Sequence, residues 1–357
     1  MSSLHVLSAS GDTGHIGRIH GKAFSEEIRS YADDRIELSR EGTKLSSSEV
    51  IQIAEQMLPA HEAYDADLYT EMVTMASAAG ISPAEAVIVG GYTDFIDTVR
   101  ALADGTAVED TCTAVITPDA LSGGAGFLAQ TWDMHASATP HVFMFRIEPT
   151  AGPGALVFTT HGTLGQIGMN EAGIAIGINN LTMDDGRLGV TWPFVVRKAL
   201  KQTTFDDAVA CVMDADLAGG HNFLIFDRQG MGVTIEATST TTSIERLSRD
   251  PVIHTNHCIA ALTQAQEADR PESLTESSKA RLKHAKDWMT LGEPHTSDSL
   301  MLMLRDERSI CRRPDPVFSY ESSGAVIMRP ATGDLWACWG IPVENDFEHF
   351  SVDGASR

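Results

Sequence analysis

The chain has 357 residues, of which 43% are hydrophobic and 21% are charged, so it can bury a substantial core as one large domain or two ordinary ones. Acidic residues number 49 against 26 lysines and arginines, which gives a net charge of −23. Nucleic acids and anionic membranes attract basic patches, so this balance argues against both as partners. The absence of a long apolar run and of a signal-like N-terminus predicts a cytoplasmic protein.

The first part of the chain, residues from about 14 to 104, is predicted to be helical. Ser82, Pro83 and Glu85 form a capping box with proline at the first helical position, which marks a helix start. Gly80, just before it, is typical of the end of the preceding helix. This pattern stops near residue 111, which divides the chain into a helical segment, 1–111, and a second part, 112–357.

Beyond residue 111, short runs of β-branched and aromatic residues alternate with turns rich in Gly, Pro, Asn and Asp. The predicted strands are 112–117, 126–132, 142–148, 155–161, 173–179, 222–227, 232–237, 252–258, 324–328 and 334–339. Helices are predicted over 193–201, 204–214 and about 279–289, the last after a polar stretch, 264–278. Strands and helices that come in blocks favour an α+β layered domain over strict βαβ alternation.

Five cysteines are present, an odd number with no C-x2-C pair, which argues against a disulfide framework and against a structural zinc site. A buried thiol with no chemical role is the default interpretation of such residues. Cys112 differs because it begins the first predicted strand of the β-rich part, and Asp133 directly follows the next one. Two strands joined by a glycine-rich turn would place these two residues side by side on neighbouring strands.

Two later segments carry further polar groups. Asn256 lies in a His-Thr-Asn-His-Cys run at a strand end, where its amide could donate into an oxyanion hole. Taken alone, the histidines and cysteine of that run suggest a metal site, but their spacing on a strand does not let them converge on one ion. Arg312 ends a Ser-Ile-Cys-Arg run, for which a surface ion pair is the simpler interpretation.

Together these segments resemble one family, the acyl-coenzyme A:6-aminopenicillanate acyltransferases among the N-terminal-nucleophile (Ntn) hydrolases. The resemblance covers roughly residues 10 to 345 and depends on the order of five motifs. They are Cys112-Thr113, Gln-Thr-Trp-Asp at 130–133, Gly-Met-Asn-Glu-Ala-Gly at 168–173, His-Thr-Asn-His-Cys at 254–258 and Ser-Ile-Cys-Arg at 309–312. One departure is Thr111, where several relatives are expected to have glycine before the cysteine.

The resemblance implies a four-layer αββα fold and a precursor, or zymogen, that cuts its own chain between Thr111 and Cys112. Residues 1–111 would become a small subunit and residues 112–357 a β-rich large subunit. The two fragments would stay together as one domain and a heterodimer, with higher assembly open. No cofactor and no metal are implied.

The resemblance also implies roles for single residues. Cys112 would be the thiol nucleophile, and its freed α-amino group, which titrates near ~8, would be the base. Asn256 would donate a hydrogen bond to the oxyanion, and Asp133 would orient the nucleophile and assist self-cleavage. Arg312 would lie near the site and hold either Asp133 or a substrate carboxylate by a forked contact.

The function that follows is a self-processing thiol amidase for a linear amide: a small N-acyl amine, an N-acyl amino acid or a peptide-like molecule. One alternative is an acyl-CoA-dependent N-acyltransferase, which would need a basic groove that the acidic composition disfavours. The other is a non-catalytic binding protein that retains the fold. The joint presence of Cys112, Asp133, Asn256 and Arg312 argues against that last class.

Overall fold

The computed structural model describes residues 4–103, 111–291, 294–314 and 320–353. Two β-sheets stack face to face, and helices cover the outer face of each. This is the four-layer αββα arrangement, and the predicted fold class is confirmed. β1 of the N-terminal part pairs in parallel with β4 of the second part, so both parts of the chain build the same sheet.

The helices and strands follow one another in two groups. Before residue 104 they are β1 (Val6–Gly11), α1 (Thr13–Ala23), α2 (Ser25–Arg40), α3 (Ser47–Tyr64), α4 (Ala66–Ala79), α5 (Pro83–Gly90) and α6 (Tyr92–Ala103). From residue 111 onward they are β2 (Thr113–Thr117), β3 (Phe127–His135), β4 (Val142–Pro149), β5 (Ala155–Thr160), β6 (Ile167–Asn170), β7 (Ile174–Leu181), α7 (Trp192–Ala199), α8 (Phe205–Met213), β8 (Gly220–Asp227), β9 (Gly232–Ala237), β10 (Thr242–Arg246), β11 (Val252–His254), α9 (Ala261–Gln264), α10 (Glu272–Met289), α11 (Ser297–Leu304), β12 (Tyr320–Arg329), β13 (Asp334–Trp339) and β14 (Glu348–Ser351).

The larger sheet has eight strands in the order β1-β4-β5-β6-β7-β8-β9-β10, and the smaller has six in the order β11-β2-β3-β12-β13-β14. Alternate residues of β2 show how the layers divide the core. Ala114 and Ile116 point into the large cluster between the sheets, whereas Val115 belongs to a second cluster with α10 and α11. Because side chains alternate along a strand, Cys112 falls on the inner face with Ala114, and it is buried in the same cluster.

The predicted elements agree with the structure in most places and are wrong in a few. The capping box at Ser82 is present, and Gly80 ends α4 in the left-handed conformation, with φ of 83°. Four strands were not predicted: β1, β6, β10 and β14. Three of these are edge strands, which bury one side at most and so lack a strong apolar pattern. The helix predicted at 279–289 begins earlier, at Glu272, inside the polar stretch, and β11 ends at His254 instead of reaching 258.

In the described part of the chain, no single helix is long and apolar enough to cross a membrane. The bent pair α4 and α5 is long and apolar enough when its two helices are taken together, by length and composition only. Its apolar side chains pack in the protein core.

A buried histidine connects the helical layer to the second part of the chain. In His61 on α3, Nδ1 donates to the Met57 carbonyl, 2.9 Å away, and Nε2 accepts from the Thr191 backbone N–H, 3.2 Å away. Burial lowers the pKa of His61 to about 4. A neutral ring that both donates and accepts fits this position, where the Thr191 hydroxyl also lies 3.0 Å from Nε2.

This histidine should make the fold sensitive to acid. The unfolded chain takes up the His61 proton near pH 6.5 and the folded chain only near pH 4, so stability is lost as the pH falls between those values. The loss from this residue between pH 7 and pH 4.5 should be about 2 kcal/mol of unfolding free energy. Urea unfolding at both pH values should show a smaller acid loss for His61→Gln than for the wild type. Equal losses would contradict this assignment.

Candidate active site

The pairing of β2 with β3 brings Cys112 next to Asp133. The two strands are antiparallel with Thr113 opposite Thr131, so Cys112 comes one residue before that pair on one strand and Asp133 two residues after it on the other. The Sγ of Cys112 is 3.9 Å from the Asp133 carbonyl oxygen, and both side chains are fully buried. The two residues are therefore neighbours, but because side chains alternate along a strand, the Asp133 side chain lies on the face of Thr131 and Thr113, opposite to that of Cys112.

Asp133 is a buried carboxylate with two hydroxyl donors. The Ser322 hydroxyl donates to Oδ1 at 2.7 Å, and the Thr111 hydroxyl donates to Oδ2 at 3.2 Å. Burial raises the pKa of Asp133 to about 6, although the Ser322 hydrogen bond and the nearby positive charges of Arg281 and Arg312 oppose that rise. Thr111 thus gives this carboxylate a partner that a glycine could not supply.

Asn256 lies two residues after the end of β11, and its amide is held at both ends. Its Nδ2 donates to the Asn180 carbonyl at 3.1 Å, and its Oδ1 accepts from Arg281 Nη2 at 3.0 Å. Its backbone N–H donates to the Ser278 hydroxyl at 2.9 Å. An amide nitrogen carries two hydrogens, and the Asn180 contact uses one of them. The other is available to a substrate oxyanion.

Arg312 lies near Asp133 but does not pair with it directly. Its guanidinium donates to the Ser277 hydroxyl at 2.8 Å, and its backbone N–H donates to the Ser322 hydroxyl at 2.9 Å. Arg312 and Asp133 are both among the described residues, and no ion pair joins them. The contact is indirect, through Ser322, so the forked contact to Asp133 suggested by the resemblance is not formed in this structure.

Arg281, on α10, is a site residue that the sequence interpretation missed. Its Nη1 donates to the Cys112 carbonyl and, at 3.1 Å, to the Thr113 hydroxyl, and its Nη2 donates to Asn256. Burial lowers the pKa of Arg281 to about 10, so it stays charged at neutral pH. Ser277, Ser278 and Arg281 occupy one face of the helix, and their spacing at the end of the polar stretch and just after it was a signal that could have identified them.

Asn179, on β7, was also missed, and it joins the two sheets at the site. Its Nδ2 lies 3.4 Å from the carbonyl oxygens of both Cys112 and His254, and its Oδ1 accepts from Asn222 at 3.2 Å. The signal was an unusual pair of asparagines, Asn179 and Asn180, inside an otherwise apolar strand.

The other four cysteines lack this setting. Burial raises the pKa of the thiols of Cys211 and Cys311 to about 11, that of Cys338 to about 12 and that of Cys258 still further. A thiolate is the nucleophilic form of cysteine, so these four are poor nucleophiles. Among the residues that the structure describes, no three His, Cys, Asp or Glu side chains are grouped to hold a metal ion.

Residues 121–342 match the family described as acyl-coenzyme A:6-aminopenicillanic acid acyl-transferase. The matched span is more than half of the chain. The chain belongs to this family. Asp133, Asn256 and Arg312 lie within the matched residues, whereas Thr111 and Cys112 precede them. This protein is therefore an enzyme that acts on carbon–nitrogen bonds.

One relative of the acyltransferase family is the 40 kDa form of acyl-coenzyme A:6-aminopenicillanic-acid-acyltransferase from Emericella nidulans. It is 24% identical over 318 residues, which are 87% of this chain and 84% of the relative. Among solved structures, an N-acylethanolamine-hydrolyzing acid amidase ortholog from Caenorhabditis elegans aligns with a TM-score of 0.43 and 14% identity, covering 62% of this chain and 93% of that one. A variant of conjugated bile acid hydrolase from Clostridium perfringens aligns with a TM-score of 0.47 and 10% identity, covering 69% of this chain and 94% of that one.

Proposed function

We propose that the protein is a self-processing cysteine amidohydrolase that cleaves a linear amide through a thioester on Cys112. The observation that carries this proposal is the placement of one thiol. Cys112 lies at the start of a central strand with its side chain on the inner face, next to Asp133. Its carbonyl is held by Arg281, and Asn256 is bound to the same guanidinium.

Self-cleavage would use the Thr111–Cys112 peptide bond as its own substrate. The Cys112 Sγ attacks the Thr111 carbonyl carbon, the C–N bond breaks, and the nitrogen takes a proton. Thr111 is then held as a thioester on Sγ. Water hydrolyses this ester, which leaves a carboxylate on Thr111 and a free thiol and α-amino group on Cys112. Fragments 1–111 and 112–357 remain packed together because β1 and α1–α6 belong to the same core.

Turnover repeats this chemistry on an external amide. The α-amino group of Cys112 takes the thiol proton, and Sγ attacks the substrate carbonyl. The developing oxyanion accepts a hydrogen bond from Asn256 Nδ2. The amine leaves with the proton, and water hydrolyses the acyl thioester. Asp133, with Ser322 and Arg312 behind it, orients the segment around Cys112.

The substrate proposed is a small N-acyl amine, an N-acyl amino acid or a short peptide-like amide. Acyl transfer from acyl-CoA to an amine is the second candidate, and the name of the Emericella nidulans relative is what favours it. Both reactions share the Cys112 thioester and differ only in what reaches it. Hydrolysis needs only water, whereas transfer needs a site for an acceptor amine, and a net charge of −23 opposes the polyanionic CoA.

The proposal is tested by incubating purified protein with a panel of N-acyl amines and N-acyl amino acids, and separately with acyl-CoA and an amine. Mass spectrometry of the quenched protein should find an acyl adduct on the peptide that begins at Cys112, together with release of the amine from amides. Transfer from acyl-CoA without amide hydrolysis would select the second candidate. A folded protein that binds these compounds but forms no adduct with any of them would contradict both and indicate a binding protein.

A Ser322→Ala variant should make self-cleavage more sensitive to acid. The Ser322 hydrogen bond lowers the pKa of Asp133, so its removal should raise that pKa further above about 6. The carboxylate would be mostly protonated at pH 6 but still ionised at pH 8, so cleavage should slow several-fold at pH 6 and little at pH 8. The measurement is the conversion of precursor, pulse-labelled in cell-free translation and then shifted to each pH.

Ser323→Ala provides the matched control. This neighbouring hydroxyl accepts from Thr139 and has no contact with Asp133, so its loss should leave the pH dependence unchanged. An equal slowing of Ser322→Ala at both pH values would show that the hydroxyl acts through the structure of β12 instead of through the charge of Asp133.

A further inference from the structure

One face of α10 contacts three parts of the site at once. The Ser277 hydroxyl accepts from the Arg312 guanidinium, the Ser278 hydroxyl accepts from the backbone N–H of Asn256, and Arg281 reaches both the Asn256 side chain and Cys112. Ser277 and Ser278 precede Arg281 by four and three positions, so both lie on the side of the helix that carries Arg281. The outer helical layer thus supplies polar groups that contact the backbone of Cys112 and the side chain of Asn256.

Arg281 is the charged member of this group, and burial and hydrogen bonds restrict where its guanidinium can lie. Its side chain is among the largest fully buried ones in the protein. Its two terminal nitrogens donate to the Cys112 carbonyl, the Thr113 hydroxyl and Asn256 Oδ1, and its Nε has no hydrogen-bond partner. A planar guanidinium has a fixed fork of donors. The positions of the Cys112 carbonyl and the Asn256 amide are therefore fixed relative to each other.

The contact with Oδ1 determines which way the Asn256 amide faces. An asparagine amide can turn by half a revolution and exchange its oxygen with its nitrogen. Arg281 has donors only, so the oxygen must face it and the nitrogen must face away. On the opposite side, the Asn180 carbonyl accepts only and selects the same orientation. The amide is thus held with Nδ2 directed away from Arg281, which leaves its second N–H for an incoming oxyanion.

We infer that Arg281 is a positioning residue for amide cleavage, which holds the Asn256 amide in its donating orientation beside Cys112. This inference rests on the proposed function. Because a developing oxyanion needs a donor already in place, the loss of Arg281 should lower kcat and leave KM nearly unchanged. The acidic Asp133 and the cationic Arg312 also act electrostatically on Arg281, but neither forms a hydrogen bond with the Asn256 amide.

The test is a double-mutant cycle on the full chain with Arg281→Met, Asn256→Ala and the double variant. Activity is expressed per free Cys112 amino terminus, so differences in self-cleavage do not enter. Arg281→Met should lower kcat by roughly 30-fold and Asn256→Ala by about 10²-fold or more. If Arg281 acts through Asn256, the double variant should be no worse than Asn256→Ala by more than about threefold. Losses that multiply, or a wild-type kcat in Arg281→Met, would overturn the inference.

Two further variants keep the test decisive. Arg281→Lys keeps a buried cation but lacks the fork, so it should regain only part of the lost kcat, and it replaces the methionine variant in the cycle if that one does not fold. Arg305→Met removes a guanidinium that donates to the Pro342 and Asn345 carbonyls, and its kcat should match that of the wild type. If Arg281→Met folds but remains largely uncut, the same double-mutant cycle is measured with the rate of self-cleavage in place of kcat.

The outcomes separate this inference from the proposed function. A wild type that neither cuts itself nor forms an acyl adduct would refute the proposed function and this inference with it. A wild type that hydrolyses amides, beside an Arg281→Met variant of equal kcat, would refute only the role given to Arg281.

Discussion

A Cys112→Ala variant is expected to remain one uncut chain and to lose amide hydrolysis by at least about 10⁴-fold. The loss is this large because, in the proposed mechanism, a single residue supplies the thiol that opens the peptide bond, the thiol that attacks the substrate and the amino group that acts as base. The measurement is the mass of the purified variant together with its rate on the best amide found for the wild type.

Cys211→Ala is the matched control. Cys211 is buried on α8, and burial raises the pKa of its thiol to about 11, so its loss should change neither the fragment pattern nor the rate. A Cys112→Ala chain that still divides at residue 111, or that keeps a rate within tenfold of the wild type, would remove Cys112 from the mechanism.

An Asn256→Ala variant is expected to lower kcat by about 10²- to 10³-fold with little change in KM. The amide donates to charge that appears only in the transition state, and the loss of one such donor costs about 3 kcal/mol. Steady-state kinetics per free Cys112 amino terminus measure this effect. The thermal stability of the variant should be followed as well, because Arg281 loses a buried acceptor.

Asn256→Asp separates hydrogen-bond donation from shape. Aspartate has the same outline and can still accept from Arg281, but it has no N–H to give to an oxyanion. It should therefore fold at least as well as Asn256→Ala and be as slow. An Asn256→Asp variant with nearly normal kcat would show that another group stabilises the oxyanion.

The fold could be predicted from the sequence wherever the local pattern of apolar and polar residues is enough to define a helix or strand. Ser82 and Glu85 mark the start of the helix at Pro83. The strands β9 and β13 begin and end at the residues that their apolar runs predict. Edge strands such as β10 were not predicted because most of their residues face solvent. The helix predicted in place of α10 was too short because the first turns of α10 are polar. Which strands become neighbours follows from long-range pairing, to which local pattern gives little access.

The candidate residues could be selected from the sequence, but the contacts between them could not. Cys112, Asp133, Asn256 and Arg312 were each identified in sequence, and the structure places them close to one another. What the sequence could not supply was Arg281. Its partners, the Cys112 carbonyl and the Asn256 oxygen, come from segments 169 and 25 residues away. An arginine in a polar helix looks like a solvent-exposed residue until packing directs it inward.

The most direct test of the account is the intact mass and N-terminal sequence of freshly purified wild-type protein. The account predicts two fragments that co-purify, the larger beginning Cys112-Thr113-Ala114. A folded chain that stays whole after long incubation, with the bond between Thr111 and Cys112 unbroken, would contradict self-processing and remove the amino group on which the proposed chemistry depends.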